Sequence, residues 1–312
     1  MKKIASLIMA LALCLTLFGC QKADEATKGI SVVCASFAEY DWVKNLTANT
    51  DARVTLLADN GADMHSYQPT AADVLSIGKA DLVVYNGGTA DEWMTAAIKN
   101  SGFSATAIRI MDAVGKNLIH IGHHEDEDAA HVHGDYDEHA WLSLNNAVTA
   151  CGVIAQKLIE ADPDNKPTYM ANLTEYTASL ITLNNKCKTL FGEMQNKTVV
   201  IADRFPFLYM MNDYGIAYNA AYEGCSAETE AGFEKVLSLA KTVDEQGIST
   251  IFIMEGGTDK LAKSVISNTK SKNQSIVTLD SMQSVTKKDI ESGKSYFFVM
   301  TKNLEALENA LK

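Results

Sequence analysis

The chain has 312 residues, with 39 acidic against 27 basic side chains and a formal charge of −12. That balance argues against a nucleic-acid partner and suits a protein that handles cations. A hydrophobic share of 47% over this length leaves room for two lobes with separate cores.

The chain opens on an export signal. Lys2 and Lys3 precede an apolar run from Ile4 to Phe18, too short for a comfortable membrane span. The run closes on Leu17-Phe18-Gly19-Cys20, which resembles a bacterial lipobox with an unusually bulky Phe18. Cys20 is then the acylated first residue of a mature, membrane-anchored protein; the alternatives are an uncleaved anchor or an ordinary signal peptide. All three place the protein outside the cytoplasm, at a cell surface or in a periplasm. Residues 1–19 are read as the signal and 20–29 as a tether. No later apolar run reaches the ~20 residues of a membrane helix.

From residue 30 onward, short apolar, β-branched runs alternate with helical patterns. The strand-like runs are Ile30–Ala35, Arg53–Leu57, Asp81–Tyr85, Thr198–Ala202, Thr250–Met254 and Ser275–Leu279. Helical patterns lie at Ala71–Gly78, Glu92–Lys99, Glu230–Glu245 and Asp259–Thr269. This alternation predicts an α/β fold with parallel sheets, and the continuous apolar runs predict helices on both sheet faces.

The middle of the chain reads differently. After "ADPDNKP", the residues Tyr169, Leu173, Tyr176, Leu180, Leu183, Cys187 and Leu190 follow at alternating steps of four and three. They predict one long helix over 164–192, capped by Asp164 or Asn165, with Pro167 in its first turn. Its place between two α/β halves makes it a spine joining an N-terminal lobe, 30–163, to a C-terminal lobe, 193–312. Cys34, Cys151, Cys187 and Cys225 are scattered without a C-x-x-C, so neither a thiolate zinc site nor a disulfide framework is signalled. Cys34, in "ISVVCASF", reads as a core residue of a strand.

In open α/β sheets, ligands bind beyond the carboxyl ends of strands. Past the strand-like runs stand His65, Asp203 with Arg204, Glu255 and Asp280, while His139 opens a helical stretch after the loop 120–138. Two imidazoles and several carboxylates can thus converge on one cleft. Taken singly, each has an ordinary reading: His65 as a polar surface residue, Asp203 and Asp280 as helix caps, Glu255 as a turn residue, and Tyr67 and Trp141 as packing.

The segments "GADMHSYQPTAAD", "DEHAWLSLNNA", "DRFPFLYMMNDYGI", "CSAETEA" and "VTLDSM" resemble the metal-binding lipoproteins of bacterial ABC importers for zinc and manganese. The likeness runs in order from about residue 30 to the C-terminus. It implies two α/β lobes joined by a rigid long helix, one metal in the cleft, and a non-enzymatic monomer that delivers its cargo to an ABC permease. Carried over by motif, the implied ligands are His65, His139 and Asp280. Glu138 stands where the family has proline and Ser143 where it has aspartate, and neither departure alters the ligand itself. The third motif places Arg204 on a ligand position, and arginine cannot bind a cation. Asp203 is then the replacement ligand. Alternatively Arg204 pairs with Asp280 or Glu255, and a loop histidine such as His120 completes the site.

Two imidazoles with carboxylates suit zinc, iron or manganese, and affinity order favours Zn²⁺ over Mn²⁺. Six of the chain's seven histidines lie at 120, 123, 124, 131, 133 and 139. The segment Ile121 to Asp135 has almost nothing apolar to bury, so it reads as a solvated, weak metal collector that tilts the cargo toward Zn²⁺, or as a polar loop without a role. A secreted zinc hydrolase using Glu255 or Glu228 as base is the competing class, without an H-E-x-x-H or G-x-S-x-G motif behind it. A surface adhesin is the third.

Overall fold

The computed structural model describes residues 29–121, 136–224 and 232–312. The first sheet consists of β1 (Ser31–Cys34), β2 (Arg53–Leu56), β3 (Leu82–Tyr85) and β4 (Thr106–Arg109), all parallel, in the order β2-β1-β3-β4. The second repeats that order: β5 (Thr198–Ile201), β6 (Ala217–Ala220), β7 (Thr250–Met254) and β8 (Ser275–Leu279) run parallel as β6-β5-β7-β8. The expected α/β architecture of two helix-flanked parallel sheets joined by a long helix is therefore present.

Each sheet has two covered faces. On the first, helices α1 (Phe37–Leu46), α2 (Ala71–Gly78), α3 (Trp93–Ser101) and α4 (Ile110–Val114) follow the strands. Val33, Ile77, Val83 and Met94 form a small core on one face, and the other face joins the main core through Val32, Cys34, Leu82 and Val84. On the second sheet, α7 (Leu208–Tyr214), α8 (Phe233–Gln246) and α9 (Lys260–Ser267) play the same part. Val200, Leu239, Ile251 and Val265 make its outer core. Alternate residues of one strand thus serve different cores, as the pleat requires.

The strands missing from the sequence reading are β4 and β6. Both are edge strands, and only Ile108 in β4 and Ala220 in β6 are buried. One covered side demands few apolar residues, so Thr106-Ala107-Ile108-Arg109 and Ala217-Tyr218-Asn219-Ala220 carry no strong strand pattern.

Helices α5 (Leu144–Ala161) and α6 (Lys166–Glu193) run between the sheets. The 28 residues of α6 span about 42 Å. Its buried face is Tyr169, Leu180, Asn184, Cys187 and Phe191. A strict 3.5-residue repeat drifts against the 3.6-residue helix, so after six turns Phe191 rather than Leu190 points inward. The start of α6 also differs from expectation. Asn165 holds the capping position without a side-chain cap bond, and Asp162 instead accepts from Asn165 Nδ2 at 2.8 Å and from the Tyr169 hydroxyl at 2.7 Å.

The lobes also meet directly. Trp141 Nε1 donates to the Ser281 carbonyl at 2.9 Å, and the Tyr296 hydroxyl, on α11 (Tyr296–Leu311), donates to the Trp141 carbonyl at 2.6 Å. Short helix α10 (Lys287–Glu291) follows a further tie, in which Lys287 N donates to the Asp59 carbonyl at 2.7 Å. Cys34, Cys151 and Cys187 are buried free thiols. No described helix is long and apolar enough to cross a membrane. The signal run, Cys20, the histidine-rich residues 122–135, Cys225 and Glu228 lie outside the described residues.

Candidate metal centre

His65 stands on a tight turn after β2. Asp63 begins a single 3-10 turn, Met64–Ser66, by accepting a hydrogen bond from His65 N at 3.0 Å. On either side of the histidine, Met64 and Tyr67 are buried, and the Tyr67 hydroxyl donates to the Leu57 carbonyl at 3.0 Å and to Asp73 at 2.9 Å. In "DMHSY" the anchors therefore point inward and the imidazole outward.

His139 is 3% exposed, at the entry to a 3-10 turn, Ala140–Leu142, that leads into α5. One oxygen of Asp137 lies 3.1 Å from its Nδ1 and also accepts from its backbone amide at 2.9 Å. A carboxylate in this position favours the ring proton on Nδ1 and with it a lone pair on Nε2, the usual arrangement for a metal-binding histidine. Asp137 is itself held from the second lobe: the Tyr209 hydroxyl donates to its carbonyl at 2.7 Å.

Glu138 completes a compact group. The ligand atoms of His65, Glu138 and His139 all lie within 4.8 Å of one another. The Glu138 carboxylate is oriented by the loop after β3. Its Oε1 accepts from the Thr89 hydroxyl at 2.6 Å and stands 3.8 Å from His65 Nδ1, while Oε2 accepts from Ala90 N at 2.8 Å. Asn86 Nδ2 donates to the Glu138 carbonyl at 2.9 Å. Gly88 makes this approach feasible, because a β-carbon there would fall 2.1 Å from Glu138 Oε2. Two imidazoles and one carboxylate form a donor set for Zn²⁺ or a neighbouring divalent metal, with a position left for a further ligand.

Glu138 is the residue that sequence reasoning passed over as a replacement beside a ligand. Its signal was present as an acid next to a candidate histidine, but its orienting partners, Thr89 and Ala90, lie far away in sequence.

The other candidates from the sequence are engaged elsewhere. Asp203, just past β5, accepts from Arg204 N at 2.8 Å and from Met254 N at 3.2 Å, tying the ends of β5 and β7 together. Arg204 Nη1 donates to Asp63 Oδ2 at 2.8 Å, across the boundary between lobes. Asp280 pairs with Lys294 at 2.6 Å, accepts from Met282 N at 2.8 Å, and faces a hollow of about 400 Å³ lined by Lys294, Phe298 and Asn303.

Glu255 accepts from Ser281 N at 2.8 Å and Gln283 N at 3.2 Å, so it holds the loop after β8. Burial, with the Asp280 charge adding, pushes its carboxyl up to about 7. Exposed His120 bridges to Tyr136, with ring centroids 5.4 Å apart. Among the described residues, only His65, Glu138 and His139 form a group able to hold a metal.

Comparison with known proteins finds metal-binding relatives. The zinc-binding lipoprotein AdcA of Streptococcus pneumoniae is 29% identical over 316 residues, covering 99% of this chain but 61% of AdcA, so the chain spans under two thirds of that protein. The metal ABC transporter substrate-binding lipoprotein SsaB of Streptococcus sanguinis is 27% identical over 100% of this chain and 99% of its own. The crystal structure of the Zn(II)-bound ZnuA-like domain of S. pneumoniae AdcA superposes with a TM-score of 0.72 at 25% identity, covering 91% of this chain and 99% of that one. Residues 32–310 match the family described as zinc-uptake complex component A, periplasmic, and the chain belongs to that family.

Proposed function

We propose that this protein is the extracytoplasmic substrate-binding component of a metal ABC importer, capturing Zn²⁺ and delivering it to a permease. The observation that carries this reading is the group His65, Glu138 and His139, with an Asp137 oxygen set against His139 Nδ1. The names of the similar proteins, a zinc-binding lipoprotein and a metal ABC transporter substrate-binding lipoprotein, support both cargo and partner. Mn²⁺ fits the same donors more weakly. The lipobox at Cys20 supports a lipid-anchored protein outside the cytoplasm.

Of the two second-lobe carboxylates, Asp280 is the better fourth ligand. Its Oδ2 is held by the Lys294 ammonium, which is on a flexible stem and can give way to a divalent ion. Each oxygen of Asp203 accepts a backbone amide, from Arg204 and from Met254 in β7, so turning the carboxylate toward a metal would strand both. We therefore assign Asp203 to structure. The role is that of a carrier, not an enzyme: the carboxylate once considered as a base, Glu255, is committed to the loop after β8.

Zinc titration of the purified protein, with metal content by mass spectrometry and an assay for hydrolytic turnover, tests this reading. One tight site, lost in His65→Ala and His139→Ala and without turnover, supports it. Metal-dependent turnover abolished by Glu255→Gln would overturn it.

A further inference from the structure

We propose that Arg204 is a positioning residue of the metal centre: from the second lobe it grips Asp63 and so fixes the turn that carries His65. The proposal rests on reading His65, Glu138 and His139 as the metal site. Its basis is a continuous path. The last residue of β7, Met254, donates its amide to Asp203 Oδ2, and Asp203 Oδ1 accepts the amide of Arg204. Arg204 Nη1 then reaches Asp63 Oδ2 at 2.8 Å, and Asp63 Oδ1 accepts from His65 N at 3.0 Å.

Each link has a physical reason. Gly257 leaves room for Asp203, since a β-carbon there would fall 2.2 Å from its Oδ2. The two side chains of the Arg204–Asp63 pair are 23% and 18% exposed, so water screens them less than a surface pair. Arginine has no lone pair to offer a cation, so its contribution to the centre is orientation. Asp63 neutralises its charge, which limits repulsion of the metal. The other ties between the lobes here, from Lys287 N to the Asp59 carbonyl and from Gly61 N to the Val285 carbonyl, hold the chain before the turn, whereas Arg204 holds the residue that caps it. A movement of the second lobe is thereby felt at His65, although the compact ligand group comes entirely from the first.

The test uses full-length protein loaded with Zn²⁺ and follows dissociation into excess chelator for wild type, Arg204→Gln, Arg204→Lys, Asp63→Asn and the double variant. Asp63→Asn keeps an oxygen for His65 N and removes only the ion pair. The expected result is one zinc per chain throughout, with dissociation faster by about tenfold or more in Arg204→Gln and Asp63→Asn. The double variant should be no faster than either single one, because both break the same link. Arg204→Lys should recover part of the loss by restoring the charge without the fork.

Wild-type dissociation rates in Arg204→Gln, slower release, or additive effects in the double variant would overturn the proposal while leaving the metal site intact. Absence of tight zinc in the wild type would overturn the site and the proposal together. If Arg204→Gln shows no thermal unfolding transition, Asp63→Asn decides alone.

Discussion

Asp137 sets one carboxylate oxygen against two nitrogens of His139, 3.1 Å from the ring Nδ1 and 2.9 Å from the backbone amide. A single side chain thus fixes both the tautomer and the position of the most buried imidazole in the metal group. Asp137→Asn can still accept from the backbone amide but loses the charge that favours the Nδ1 proton. Zinc affinity, measured by chelator competition, should fall about 10- to 100-fold with little change in the thermal stability of the metal-free protein.

Glu138 and Asp203 should separate cleanly. Glu138→Gln keeps an oxygen for Ala90 N, with its amide group turned toward the Thr89 hydroxyl, yet removes the anionic ligand, so zinc affinity should fall about 100-fold or more. Gly88→Ala should reproduce much of that loss by pushing the carboxylate aside. Asp203→Ala strands the amides of Arg204 and Met254, and should cost about 1–3 kcal/mol of stability in urea unfolding. Its effect on zinc affinity should be smaller than that of Glu138→Gln.

If Asp280 enters the site by exchanging Lys294 for metal, the ammonium is a built-in competitor. Lys294→Met should then bind zinc several-fold more tightly by calorimetric competition, and Asp280→Asn more weakly. Equal affinities in all three proteins would remove Asp280 from the ligand set.

The metal-free protein should lose stability as pH rises from about 5 to 8. Glu39 is wholly buried on the first turn of α1, and burial, reinforced by the nearby Asp91, pushes its carboxyl from 4.5 up to about 7. Between those values the folded state holds a proton that the unfolded state has released, so ΔG of unfolding falls with pH and levels off above about 7. Glu39→Gln, which stays neutral, should flatten that decline in melting temperature. The group can contribute up to about 3 kcal/mol over this window.

How much of this was legible in the sequence follows from what each feature must bury. The central strands β1, β3, β5 and β7 announced themselves as apolar runs because both of their faces are covered, and the edge strands β2 and β8 were readable from their β-branched residues, Val54-Thr55 and Ile276-Val277-Thr278. The edge strands β4 and β6, half bared, did not. The stripe on α6 was readable from Tyr169 to Cys187, since its partners impose a single buried face. His65 and His139 could be placed at loop ends by motif. Glu138 could not be assigned a role, because what orients its carboxylate toward His65 is the distant loop of Gly88, Thr89 and Ala90. The Arg204–Asp63 pair spans 141 positions and two lobes, and no local pattern marks it.

The central claim is that one zinc ion sits on His65, Glu138 and His139, and a crystal structure of the zinc-loaded protein with anomalous data at the zinc edge tests it most directly. The account predicts one fully occupied peak at about 2.0–2.2 Å from an imidazole nitrogen of His65, an imidazole nitrogen of His139 and a Glu138 oxygen. A peak held by His120 and its neighbouring histidines, or one ligated by Asp203 with Glu138 still bound only to Thr89 and Ala90, would contradict it.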